Sequence, residues 1–220
     1  MPHPLTLLQP APGVCFANVE DDTVMLDLQT DGYFCLVGLA DHLRIRSDGS
    51  LSTSDEAVVA LLIDNGLVQT GAGERRPRHP ALPRPERTSR SHAALNPTPR
   101  EFADFLAATL YAAVTFPKRG LKTLIGNVSD QPPTRPRCDD DAIRRAVLFD
   151  RWLPWTPFQG RCLYRAYTLR RFLRAGGLDA RWVFGVRTWP FAAHCWLQID
   201  DLLLDDDLDR VGLYTPIMVA

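Results

Sequence analysis

The chain reads as an α+β protein in two folded parts, and three observations carry that reading. Residues 1 to about 70 show short β-rich runs followed by a single helix signal. Residues 71–97 alternate proline with arginine and offer almost nothing to bury. From Thr98 helical periodicity resumes, and near the C-terminus it gives way to period-two strands. A length of 220 residues, 45% hydrophobic and 23% charged, suffices for one good core or two small ones.

In the first part, Val14–Val19 and Thr23–Leu28 are rich in β-formers, and Asp31-Gly32 is a turn signal leading into Tyr33–Val37. Thr53-Ser54-Asp55-Glu56 has the form of a capping box, with Thr53 as cap and Glu56 reaching back. Val58, Leu61 and Leu62 supply the apolar stripe of the helix that follows, and Gly66 ends it. Strands followed by a helix at this size predict a winged-helix-like module over 1–70. The linker, 71–97, has no aromatics between its arginines, so a solvated hinge is favoured over a nucleic-acid arm.

The second part, 98–220, opens on Thr98-Pro99-Arg100-Glu101, a second capping box with proline at the first helical position. Phe102, Phe105, Leu106, Leu110 and Ala113 recur at helical spacing and are expected to face a core, with Pro117 as the stop. Another helix is expected from Asp140 to about Trp152, with Ile143, Ala146, Val147 and Phe149 inward.

A net charge of -1 gives no global reason to expect nucleic acid or a charged surface as partner. Met1–Leu5 lacks the pattern of a signal peptide, and no apolar run approaches the ~20 residues that span a bilayer. The five cysteines are odd in number and lack CxxC spacing, which argues against a disulfide framework or a zinc site and for a reducing cytoplasm. No metal and no cofactor is expected. The nucleotide-binding pattern GxxxxGK[ST] is absent.

The stretch from Gln159 to Asp206 carries chemistry. Gly160-Arg161-Cys162 opens a helix whose buried side is Leu163, Ala166, Tyr167, Leu169 and Leu173, closed by Gly176-Gly177. A cysteine at a helix N-terminus has its anion stabilised by free N–H groups and the helix dipole, so the thiolate becomes available near neutral pH. Ala180–Arg187 reads as a strand, and His194–Ile199 alternates, with His194, Trp196 and Gln198 on one face and Cys195, Leu197 and Ile199 on the other. A turn at Asp200-Asp201 returns the chain to Asp205-Asp206-Asp207 beside the histidine. Cysteine on a helix, histidine on a strand and an acid on the next strand is the order used by papain- and transglutaminase-like cysteine proteases, whose thiol needs a base and whose imidazole needs an orienting acceptor. A two-residue turn would pair His194 with Asp207 and turn Asp206 to the opposite face, whereas a bulge or an odd-length turn reverses this. Register alone leaves the acid open.

From Cys162 onward the chain resembles the lasso-peptide B proteins, leader peptidases of lasso-peptide biosynthesis. The resemblance rests on Cys162-Leu163-Tyr164-Arg165, Gly185-Val186-Arg187, Pro190–Trp196 and the tail Asp209 to Ile217. It implies Cys162 as nucleophile, His194 as base and Asp206 as the orienting acid, with Asp205 where the family carries asparagine. Cys195 stands in place of an alanine and reads as packing that points away from the base. Asp201 replaces a turn glycine. Gln159, by analogy with papain, is an oxyanion candidate beside the Cys162 backbone N–H. The N-terminal module resembles the leader-recognition element of such pathways, which implies strand addition at Tyr33, Phe34, Cys35 and Leu36 with Val59, Leu62 and Ile63 as pocket walls. Simple core packing is the competing reading for each of these positions. The resemblance implies two partners, the precursor peptide and an ATP-dependent, asparagine-synthetase-like lasso cyclase. Two other functions compete: the same triad transferring the acyl group to an amine, and a non-enzymatic peptide-binding adaptor.

Overall fold

The computed structural model describes residues 5–69, 82–89, 95–129, 139–156 and 162–220, the side chains of 127–129 excepted. Two compact units divide the chain. Unit 1 is Met1–Ala81 with Gly185–Ala193 and Thr215–Met218; unit 2 is Leu82–Phe184 with His194–Tyr214 and Val219–Ala220.

Unit 1 begins with β1 (Thr6–Pro10), followed by the antiparallel meander β2 (Val14–Val19), β3 (Asp22–Asp27) and β4 (Gly32–Leu36). The turns fall where the chain must reverse: Glu20 and Asp31 both take positive φ, 53° and 54°. Alternation sends Val14 and Phe16 inward with Met25. β5 (Arg44–Ile45) and β6 (Leu51–Thr53) lead into α1 (Glu56–Asp64), and β7 (Val68–Gln69) completes a second sheet of order β5-β6-β1-β7. Leu8, Leu43, Leu51, Val58, Leu62 and Val68 close the core over α1.

The helix is capped differently from the sequence expectation. Asp55, not Thr53, is the N-cap, its carboxylate accepting from the N–H groups of Ala57 and Val58. Thr53 sits in β6 and accepts instead from the Asp55 N–H, 3.0 Å away. A carboxylate at this position also meets the positive end of the helix dipole, which a hydroxyl does not. Leu61 is exposed rather than part of the stripe, and Gly66 takes φ +65° as the stop requires. Among the described residues, 5–69 hold one helix, α1, and the strands β1 to β7.

Unit 2 contributes α2 (Pro99–Thr115), α3 (Leu121–Ser129), α4 (Asp139–Trp152) and α5 (Cys162–Ala175). The remaining strands form a five-stranded order β12-β9-β10-β11-β8, comprising β8 (Arg87–Thr88), β9 (Arg181–Arg187), β10 (Ala192–Ile199), β11 (Leu202–Leu203) and β12 (Thr215–Val219). The one-turn helix α6 (Leu208–Val211) precedes β12.

The capping box on α2 forms as expected, and its Glu101 also meets Arg144 of α4 at 2.7 Å, which holds the carboxyl down at about 2. α2 turns an unexpected face inward. Glu101, Phe105, Ala108 and Ala112 are buried, whereas Phe102, Leu106 and Leu110 are exposed. Phe105 anchors the helix in an aromatic cluster with Phe149, Trp152 and Phe172, ring centroids 5.3–5.9 Å away. On α4, Ala146 and Phe149 are buried and Ile143 and Val147 half-buried.

Part of the expected linker is a strand. β8 pairs in parallel with β11, Arg87 bonds Asp201 at 2.7 and 2.8 Å, and the Ser89 hydroxyl donates to the Leu204 carbonyl at 2.6 Å. Among the described residues no helix is long and apolar enough to cross a membrane.

Candidate active site

Cys162 is the first residue of α5, a helix held by buried Ala166, Tyr167, Leu169, Phe172 and Leu173 and closed by Gly177 at φ +79°. Tyr167 lies 6.1 Å, ring to ring, from Trp182 of β9, so the helix is packed against the sheet that carries the histidine. His194 sits on β10 with its ring 5.2 Å from Tyr214 and 6.2 Å from Trp196. Its Nε2 makes a short hydrogen bond with the Asp206 carboxylate. With Nε2 so engaged, Nδ1 is the nitrogen left for the Cys162 sulfur, which hydrogen-bonds the imidazole.

The way Asp206 reaches His194 could not be read from register. The turn at Asp200-Asp201 is two residues long, with Gln198 opposite Leu203 and Ile199 opposite Leu202. Continued regularly, that ladder would face Asp206 away from the histidine. Instead it opens one pair further on. Leu204 N–H donates to the Leu197 carbonyl at 3.0 Å, but the Leu197 N–H turns to the Asp205 carboxylate, at 2.8 Å. The Leu204 carbonyl, freed from the ladder, takes the Ser89 hydroxyl. Residues 204–206 bend, and Asp206 swings onto His194 with its other oxygen accepting from the Asp207 N–H at 2.8 Å.

The electrostatics follow from these contacts. The Cys162 thiol is lowered to about 4: hydrogen bonding from the Cys195 thiol contributes most, burial opposes, and the His194 ring adds a hydrogen bond and its charge. Burial pulls His194 down, yet hydrogen bonds to Asp206 and Cys162 raise it to about 9. The two therefore stand as thiolate and imidazolium across the neutral range. Burial works against the Asp206 anion, but His194 and the Asp207 N–H hold it below the ordinary carboxylate range. Asp205 is buried, and burial pushes it up to about 7 against the Leu197 N–H.

Cys195 has a neighbour that the sequence did not suggest. It is 3% exposed, as packing would require, and its thiol also interacts with Cys162. Strand alternation describes a side chain relative to its own sheet and carries no information about a helix end brought against that strand. Gln159, the oxyanion candidate, lies outside the described residues, as does Cys138. Among the described residues no group of three or more His, Cys, Asp or Glu is placed to hold a metal.

The predicted leader-binding residues divide. Phe34 and Cys35 on the outer strand β4 are exposed, and Ile63 is exposed on α1. Tyr33 and Leu36 are half-buried, the Tyr33 ring 6.0 Å from that of Phe191 in the same unit. Val59 is half-buried against the unit 1 core, and Leu62 is fully inside it, so Leu62 is a core residue rather than a pocket wall.

Residues 106–219, just over half of the chain, match the transglutaminase-like superfamily. The chain belongs to that superfamily. The matched region takes in α5, β9, β10 and β11, and with them Cys162, His194 and Asp206. A stretch of 49 residues is 39% identical to the microcin J25-processing protein McjB of Escherichia coli, covering 22% of this chain and 24% of that protein. The chain thus matches about a quarter of that relative's length. No solved structure matches the chain. In this transglutaminase-like region, a sulfur anion beside an imidazolium that is itself held by a carboxylate is an arrangement suited to acyl transfer through a thioester.

Proposed function

We propose that the chain is a cysteine peptidase that removes the leader from a ribosomally made precursor peptide, in the manner of lasso-peptide maturation. The observation that carries the reading is the contact series Cys162–His194–Asp206 on α5, β10 and the bend after β11. The likeness to a microcin-processing protein supports the choice of substrate class.

In this reading the Cys162 thiolate attacks the scissile carbonyl, a C–S bond forms, and charge develops on the carbonyl oxygen beside the start of α5. His194 Nδ1 gives its proton to the leaving amine as the C–N bond breaks. A water then loses a proton to His194 and adds to the thioester carbon, and Cys162 leaves as thiolate. Asp206 keeps the imidazole in one tautomer and orientation throughout. Unit 1 is assigned to the leader: β4 has an outer edge, Phe34 and Cys35 are exposed there, and an extended peptide can add a strand at such an edge. The precursor and an ATP-dependent cyclase acting on the released core are the partners in this assignment.

Incubation of the full chain with a lasso-type precursor, read by mass spectrometry, tests it. Free leader and free core are expected, and Cys162→Ala is expected to abolish both. A product joined to an added amine, with no hydrolysis, would replace the peptidase by an acyl transferase. Undiminished cleavage by Cys162→Ala would remove the enzyme reading.

A further inference from the structure

Where β9 turns into β10, the chain exposes an apolar run immediately before the histidine. Trp189, Pro190, Phe191 and Ala193 are all exposed, Trp189 at 70% and Phe191 at 47%, and His194 is the next residue. A single apolar side chain at a surface needs no explanation, but a consecutive run of them does.

The two rings are fixed in place. Both group with unit 1. The Trp189 indole N–H donates to the Asp22 carboxylate at 2.7 Å, and the other Asp22 oxygen accepts from the Gly38 N–H at 2.8 Å. Asp22 is 3% exposed, so the anchor is a buried, charged acceptor. The Phe191 ring lies 6.0 Å from that of Tyr33 on β4. Trp189 takes φ +49°, a left-handed backbone that a bulky residue rarely adopts. Beside it the Thr188 hydroxyl is buried with no hydrogen-bond partner among the described residues. An exposed indole, a left-handed backbone and an unpaired hydroxyl each work against stability. Folding alone does not account for this tip, whereas a ligand that covers the rings does.

The chain itself limits where that ligand lies. His194 is three residues beyond Phe191, so their Cα atoms are at most about 11 Å apart. An extended peptide covers that distance in about three residues. A peptide cut beside His194 can therefore lay a side chain on the tip within about four residues of its scissile bond. Tyr33, which packs on Phe191, belongs to the strand assigned to the leader, and this puts the tip on the leader side of the cut.

We propose that Trp189 and Phe191 form a specificity surface for an apolar leader side chain a few residues before the scissile bond, with Asp22 holding the indole. The inference rests on the reading of the chain as a leader peptidase with its leader on unit 1. Rings already held by Asp22 and Tyr33 lose little freedom on binding, so most of the apolar area they bury counts toward affinity.

The test is fluorescence anisotropy with two fluorescein-labelled leader peptides of a lasso-type precursor, one ending at the cut and one lacking its last four residues. The native full chain should bind the complete leader about tenfold tighter. Trp189→Ala and Phe191→Ala should each remove most of that difference: the complete leader weakens about tenfold and the shortened one is unchanged. An unchanged rate of Cys162 alkylation by iodoacetamide shows that a variant is folded, and where Trp189→Ala fails this check Phe191→Ala decides. Equal binding of both peptides by the native chain overturns the proposal, as does a loss in the folded variants that is the same for both peptides. The peptidase reading fails on another measurement: the native chain would keep the preference for the complete leader and yet leave the precursor uncut, or Cys162→Ala would still cut it.

Discussion

At the scale of single residues the behaviour of the site is set by where protons rest. Cys162 is lowered to about 4 and His194 raised to about 9, so the reactive pair gains its form as pH rises through the lower value and loses it through the upper. The kcat/KM for precursor cleavage should accordingly trace a bell with limbs near those two values, and a profile with a single rise near pH ~8.5 would mean no pairing. Asp206→Ala should lower kcat by about 100-fold or more, since the ring loses its orienting acceptor. Asp206→Asn keeps an acceptor, so its rate should stay within about tenfold of native while its alkaline limb moves down, the charge that favours imidazolium having gone. Asp205 yields a stability prediction. Its folded value, about 7, lies above the unfolded value near ~3.9, so the native state binds that proton more tightly. Its contribution is complete below pH ~4 and is lost as pH rises through 7. Asp205→Asn is permanently neutral and still offers an oxygen to the Leu197 N–H. It should melt higher than the native chain at pH 8 and show a smaller advantage at pH 5; an equal advantage at both would refute the buried-charge account.

At the scale of elements, α2 and β8 depart most from what periodicity implied. Phe102, Phe105, Leu106 and Leu110 satisfy helical spacing together, yet one amphipathic helix can bury only part of so wide an apolar arc. The structure selects Phe105 because the small Ala108 and Ala112 on that face let α2 approach α5 closely. Phe105→Ala should cost about 3–5 kcal/mol in urea unfolding, and Leu110→Gln within about 0.5 kcal/mol. A large loss from Leu110→Gln would show that face to be covered. β8 is too polar to announce itself as a strand. It is held by the backbone of β11, by Arg87 on Asp201 and by Ser89 on the Leu204 carbonyl. Ser89→Ala strands that buried carbonyl and should cost about 1–3 kcal/mol. Its effect on the bend that presents Asp206 should also appear as reduced kcat, a coupling that a remote surface serine would not show.

For the whole molecule, the proposed division of labour places recognition in unit 1 and chemistry in unit 2. Each has its own core: Leu8, Phe16, Leu51 and Leu62 in one, Val183, Trp196 and Leu203 in the other. A change at the β4 edge should therefore weaken binding and spare the site. Phe34→Asp is expected to raise KM for the full-length precursor by about tenfold or more, a loss of roughly 1.4 kcal/mol, with the alkylation rate of Cys162 unchanged. Equal loss with a short peptide lacking its leader would argue against a separate recognition unit.

By itself the sequence determined the local elements and the cast of reactive groups: the β2–β4 meander, the Thr98–Glu101 cap, a helix starting at Cys162, and a histidine strand turned at Asp200-Asp201. These depend on spacing, turn chemistry and capping among residues that are neighbours in the chain. Tertiary structure alone decided which aspartate meets His194, which face of α2 is inside, and that Cys195 lies against Cys162. Each of those outcomes is a competition between partners far apart in sequence. The Leu197 N–H choosing a carboxylate over a carbonyl, and a helix end closing on a strand, leave no local pattern to read.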